Sequence, residues 1–160
     1  MDNEIKLFLV DCDGVLTDGG MYYFESGDEA KKFSTRDGMA FKLLREQGIK
    51  IGIITGENTN IVINRGKKLK MDYIYTGIPN KIEIVDMLVK DLGVDYTNVA
   101  YVGDDINDLE VLKRVGFSAC PSDAEDCVKE ICCYISSKNG GYGVIRDIYN
   151  KFFCSEVIYD

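Results

Sequence analysis

Two acidic clusters begin where short apolar runs end. Asp11-Cys12-Asp13-Gly14 follows Leu7–Val10, and Gly103-Asp104-Asp105-Ile106-Asn107-Asp108 follows Val99–Val102. Side chains alternate between faces along an extended strand, so Asp11 and Asp13 leave it on one side and Cys12 on the other. Two carboxylates that close repel each other unless a proton or cation intervenes. Gly14 permits a tight backbone turn whose amides can face an anion. If the two apolar runs are neighbouring strands, Asp11 and Asp104 can supply oxygens to one Mg²⁺ at the C-terminal edge of a sheet, where α/β proteins build their sites. Thr55-Gly56 and Lys81 lie between the clusters in sequence and add a hydroxyl, an amide and a cation. Either cluster alone also reads as a polar turn or an acidic helix start. Both together, each directly behind an apolar run, are hard to explain as turns.

The elements that must position these residues follow from hydrophobic period. Residues 5–10, 49–54, 73–75, 99–102 and 117–119 are short, β-rich and apolar on both faces, which predicts buried strands. Residues 38–47, 59–69, 79–92 and 108–115 carry helical spacing between them, and a last helix over 144–153 is expected to close the sheet. The alternation predicts a single α/β domain over residues 1–160, a Rossmann-like, mainly parallel sheet with helices on both faces. One insertion breaks it. Residues 20–34 hold two β-like stretches around Ser26-Gly27-Asp28, which is hairpin chemistry. Met21-Tyr22-Tyr23-Phe24 is apolar on both faces, so one face needs an oligomer contact to cover it.

Composition narrows the chemistry. The 160 residues carry 19 basic against 27 acidic side chains, a net charge of −8, which argues against nucleic acid as a partner. The longest apolar runs fall short of a membrane span and the N-terminus is acidic, so a cytoplasmic protein with no membrane partner is expected. Six cysteines without paired spacing read as reduced core residues. There is no histidine, which excludes Ser-His-Asp and Cys-His catalysis and leaves acid–base work to carboxylates, Lys or Tyr.

In order, DCDGVLTDG at 11–19, Thr55 of ITGE, Lys81 and GDDIND at 103–108 match four motifs. On them the sequence resembles the haloacid dehalogenase superfamily phosphatases over nearly its whole length. The DGVLTDG form, the hairpin in place of a cap domain, Ser34-Thr35-Arg36-Asp37-Gly38 and the glycine-rich 140–146 segment resemble the capless tetrameric phosphatases of 2-keto-3-deoxy sugar acids. The resemblance implies a homotetramer that hydrolyses a sugar-acid phosphate with Mg²⁺. In it Asp11 is the nucleophile that forms an aspartyl-phosphate. Asp13 is the general acid and then base, touching metal only through its backbone carbonyl. Asp104 completes the metal site and Lys81 offsets negative charge. Thr55 and the Gly56 amide hold phosphate oxygens, with Gly14 and Asn107 beside them. Asp105 and Asp108 stand behind the site, orienting metal waters and Lys81, although Asp108 equally reads as a helix N-terminal residue.

The remaining expectations concern the sugar and the surface. Ser34, Thr35, Arg36, Asp37, Gly38 and Arg65 are implied on the substrate side, while Asp18 and Asp37 also read as turn or N-cap residues. Lys31, Lys32, Lys70, Lys113 and Lys129 read as solvated. Residues 140–143 are either a flexible approach to the last helix or a segment that reaches a site in the assembly. The octulosonate phosphatases typically carry Arg after the Thr-Gly pair, whereas this chain has Glu57, which can accept hydrogen bonds from a glycerol-like tail. That favours a nine-carbon acylneuraminate-type 9-phosphate over 3-deoxy-manno-octulosonate 8-phosphate. Arg36-Asp37-Gly38 and Arg65 pull towards the eight-carbon substrate, since the octulosonate enzymes share them. Lys68 reaches a distant substrate carboxylate only if its helix packs beside another subunit's site, and is otherwise a surface lysine. A reading from another class is a non-catalytic assembly domain partnering a CMP-sugar-acid synthetase, in which the catalytic motifs are degraded; here they are intact.

Overall fold

All five apolar runs form strands, four of them buried on both faces and the fifth, Tyr73–Tyr75, half-buried at the sheet edge. The structure, a computed structural model, describes residues 4–154. From the N-terminus come β1 (Leu7–Val10), the short β2 (Tyr22–Tyr23) and β3 (Glu29–Ala30), α1 (Thr35–Glu46), β4 (Lys50–Ile54) and α2 (Asn60–Lys68). They are followed by β5 (Tyr73–Tyr75), α3 (Lys81–Leu92), β6 (Val99–Val102), α4 (Leu109–Leu112), β7 (Phe117–Cys120), α5 (Asp126–Lys129), β8 (Tyr134–Ile135) and α6 (Val144–Phe152). Six strands build one sheet in the order β5-β4-β1-β6-β7-β8, with every neighbouring pair parallel, and β2 and β3 pair antiparallel apart from it.

The strand period of two divides the core into two layers. Phe8, Val10, Ile51, Ile53, Ala100 and Val102 face α1, α2 and α6, packing on Phe41, Leu44, Val62, Ile145 and Ile148. Leu7, Leu9, Val99 and Tyr101 face the other way, onto Ile82, Val85 and Leu88 of α3, Leu112 of α4 and Val128 of α5. The chain leaves β1 for β4 and β5 on one side, then returns to β6 on the other. That reversal opens a crevice at the C-terminal ends of β1 and β6.

Several boundaries move for local reasons. α1 begins three residues before the expected Gly38, because the Ser34 side chain caps it by accepting from Arg36 N. α3 starts at Lys81 and not at Pro79. The helix expected over 108–115 divides into a 3₁₀ turn, Ile106–Asp108, and α4. α5 and β8 were not expected, being too short to show either period in sequence. Among the described residues no helix is long and apolar enough to cross a membrane.

Candidate active site

Three adjacent strands deliver the site. β4 runs directly into Thr55, β1 into Asp11 and β6 into Gly103-Asp104, and the registers Val10↔Ile53 and Val10↔Val102 hold those ends level. Asp11, Asp13, Thr55, Gly56, Glu57, Asp104, Asp105 and Asn107 line one cavity of about 200 Å³. The glycine that follows Asp13 is obligatory. Gly14 has φ +83°, and a Cβ there would lie 1.9 Å from Asp104 Oδ2.

Lys81, the first residue of α3, lies beneath the cavity with its side chain 1% exposed, its Nζ 2.9 Å from Asp11 Oδ1 and 2.7 Å from Asp108 Oδ1. Burial alone would pull its pKa down, but Asp11 and Asp108 hold the ammonium above its ordinary range. Asp108 is fully buried. Its Oδ1 accepts from Lys81 and from Tyr101 Oη at 2.6 Å, and its Oδ2 from the amides of Asp104 at 3.0 Å and Asp105 at 3.4 Å. Those four donors use its acceptor capacity, so it anchors Lys81 and the Asp104 turn.

Oxygens from Asp11, Asp104 and Asp108 lie within 4.8 Å of one another. With Asp108 committed to its donors, Asp11 and Asp104 are the pair open to an ion. Burial, and then Asp11 and Asp108, push the Asp104 carboxyl up to about 8. Burial raises Asp11 to about 6 against the pull of Lys81. Asp104 Oδ1 is buried and finds no hydrogen-bond partner among the described residues. Hard oxygen donors with an orphaned carboxylate oxygen fit a divalent metal ion.

The structure corrects several readings: of the six cysteines expected in the core only Cys12 and Cys120 are buried, and Cys127, Cys133 and Cys154 are exposed. Lys31, read in the sequence as solvated, has a side chain 1% exposed and places Nζ 2.7 Å from Asp13 Oδ1. It follows β3 directly, and the only sequence signal was its place in an insertion next to the first acidic loop. Asp18 joins the hairpin to the same loop, accepting from Gly20 N and Tyr22 Oη and pairing with Lys32 at 3.4 Å.

The residues implied on the sugar side do not reach this cavity within the chain. Ser34, Thr35 and Arg36 line a separate surface hollow with Gly141 and Tyr142, because Ser34 is engaged as the α1 cap. Arg65 is drawn to the Ser34 carbonyl at 2.9 Å, and Gly38 packs between Leu69 and Arg65. Lys68 is exposed at the end of α2. Asp37 does cap a helix, but not its own: its Oδ1 accepts from Arg146 N, in the first turn of α6. Gly140 is no flexible approach, since a Cβ on it would lie 1.9 Å from Gly14 O, and Gly141 N donates to Val15 O at 3.0 Å. The glycine-rich segment is packed against the loop that carries Asp13.

The model of the haloacid dehalogenase-like hydrolases matches residues 23–116. The chain belongs to that family. This HAD-like hydrolase is 35% identical over 145 residues to the 3-deoxy-D-manno-octulosonate 8-phosphate phosphatase KdsC of Escherichia coli K12, an alignment covering 91% of this chain and 77% of that one. A probable YrbI family phosphatase from Pseudomonas syringae pv. phaseolica has a similar structure, with TM-score 0.89, 40% identity and coverage of 91% and 83%. So does the 3-deoxy-D-manno-octulosonate 8-phosphate phosphatase of Moraxella catarrhalis, solved with magnesium, phosphate and KDO, at TM-score 0.87, 35% identity and coverage of 90% and 83%. A cobalt-bound relative from Haemophilus influenzae matches at TM-score 0.87 and 33% identity, covering 92% and 86%. The family and its relatives make this HAD-like hydrolase a phosphoric monoester hydrolase, and the two metal-bound relatives agree with the divalent-metal fit of its acidic cluster.

Proposed function

We propose that this protein is a Mg²⁺-dependent phosphatase of a 2-keto-3-deoxy sugar acid, working through an aspartyl-phosphate on Asp11. One observation carries the reading: Asp11, Asp13, Thr55 and Asp104 converge on one cavity at three adjacent strand ends, above a buried Lys81. Asp11 attacks the phosphoryl group in line, dividing one difficult displacement into two easier ones. Asp13 gives a proton to the departing sugar oxygen and then takes one from the hydrolytic water. Lys81 offsets the charge gathered on Asp11 and the phosphate, while Thr55 and the Gly56 amide hold phosphate oxygens. Asp11, Asp104 and the Asp13 carbonyl would hold Mg²⁺, whose chemistry is to neutralise nucleophile and phosphate so that two anions can meet.

For the sugar, the named relatives support 3-deoxy-D-manno-octulosonate 8-phosphate and give the nine-carbon preference no support. We take the eight-carbon substrate as the first reading. A nine-carbon 9-phosphate stands second on a specific observation, the acidic Glu57 lining the cavity beside Thr55 and Gly56. The test is kcat/KM for both sugar-acid phosphates and a panel of ordinary sugar phosphates, with Mg²⁺ and after chelation. A preference of about tenfold or more for either sugar acid assigns the substrate, and a stronger preference for ordinary sugar phosphates overturns the class. The same reading implies a homotetramer, supported by the exposed apolar face of the hairpin. The intact acidic site argues against a purely structural partner of a CMP-sugar-acid synthetase.

A further inference from the structure

We infer that Lys31, carried into the site by the hairpin, is a positioning residue that fixes the orientation of the Asp13 carboxyl group towards the leaving group. The inference rests on the proposed acid–base role of Asp13. Acid–base work needs the carboxyl group held in one orientation within reach of the leaving oxygen. Here the two oxygens are not equivalent. Oδ1 accepts from Lys31 Nζ at 2.7 Å and from Thr17 Oγ1 at 3.2 Å. The Thr17 hydroxyl is itself oriented, because its oxygen receives the amides of Gly14 at 3.3 Å and Gly19 at 3.2 Å and its proton is left for Asp13. An oxygen receiving two donors has no room for a proton of its own. Oδ2 is buried and has no hydrogen-bond partner among the described residues, in a residue that lines the cavity. Oδ1 is therefore the anchored oxygen and Oδ2 the one left free of donors.

The arrangement also fixes the rotation of the side chain. With Oδ1 tied to an ammonium, the Asp13 carboxylate cannot swing towards the Asp11–Asp104 pair and be consumed as a metal ligand. The lysine is unusually placed for this work. Its side chain is 1% exposed, and a buried charge persists only where a partner is held against it. It also comes from outside the sheet, from an insertion whose root is tied to the same loop through Tyr22, Lys32 and Asp18.

The test is the leaving-group dependence of kcat/KM for substituted phenyl phosphates, which have no sugar to bind and report the step in which Asp13 donates its proton. Lys31→Met keeps the aliphatic stem and removes the donor. The expected result is a fall of about tenfold or more for the poorest leaving group and less than about threefold for p-nitrophenyl phosphate, so the slope against leaving-group pKa steepens. Asp13→Asn steepens it fully, and adding Lys31→Met to Asp13→Asn changes it no further, because Lys31 acts through Asp13. An equal loss across the series, or further steepening in the double variant, overturns the inference. If Lys31→Met lacks a cooperative melt, Lys31→Leu, shorter and equally without a donor, is judged by the same criteria. A slope unmoved by Asp13→Asn would instead remove the acid–base role of Asp13 on which the inference stands.

Discussion

Asp108 receives four donors from three parts of the chain: Lys81 of α3, Tyr101 of β6 and the two amides of the Asp104-Asp105 turn. It joins the cation of the site to the turn that presents Asp104. Removing such a partner leaves a buried phenol without its acceptor and a buried ammonium with Asp11 alone, a more costly change than replacing the whole network by apolar groups. Asp108→Ala is expected to cost roughly 3–5 kcal/mol, measured by urea unfolding. It should also lower kcat for phosphate release by about tenfold or more, since Lys81 loses its anchor against Asp11. A stability loss under about 1 kcal/mol would show that Asp11 alone compensates the buried ammonium.

At the scale of elements, α1 and α6 are joined by one carboxylate. Gly143, the residue before α6, has no side chain to cap it. Asp37 of α1 supplies the missing acceptor to Arg146 N, with the Ile145 and Gly143 amides also lowering its pKa. Burial outweighs these amides and Arg65 and pushes the Asp37 carboxyl up to about 6, from 3.8 in an open chain. Between those values the folded protein binds a proton that the unfolded chain has released. The stabilisation from protonated Asp37 is therefore complete below about pH 4 and is lost as pH rises through 6, by about 3 kcal/mol. Asp37→Asn lacks this titration. The stability of wild type minus that of Asp37→Asn should fall between pH 4 and pH 7, as followed by urea midpoints; a constant difference would place the proton elsewhere. Because α6 begins directly after the glycines packed on the Asp13 loop, this cap also fixes the distance between helix and site.

For the molecule as a whole, the hairpin is the part without a place in the sheet. Met21 is 48%, Tyr22 45%, Tyr23 68% and Phe24 59% exposed, four large side chains in succession. They fall on both faces of the hairpin, and on the proposed reading Met21 and Tyr23, which share a face, are covered by another copy of the chain. Met21→Asp with Tyr23→Asp should lower the mass measured by light scattering after size exclusion, and raise KM if neighbouring hairpins wall the site. A wild-type monomer at micromolar concentration would remove the tetramer. The sequence by itself determined the central strands, because a strand buried on both faces must be apolar throughout, but not the two-residue edge strand β8. It also determined the acidic, threonine and lysine positions at their ends, because such residues directly behind apolar runs are a local pattern. Tertiary structure alone decided which strands are neighbours, and thereby that Thr55, Asp11 and Asp104 meet. It also decided the roles of Lys31, Asp37 and Gly140, which the sequence shows as an ordinary surface lysine, a helix-start acid and a loop glycine. Burial of a charge, capping of a distant helix and close backbone approach depend on which segments fold against each other, and local periodicity carries no record of that.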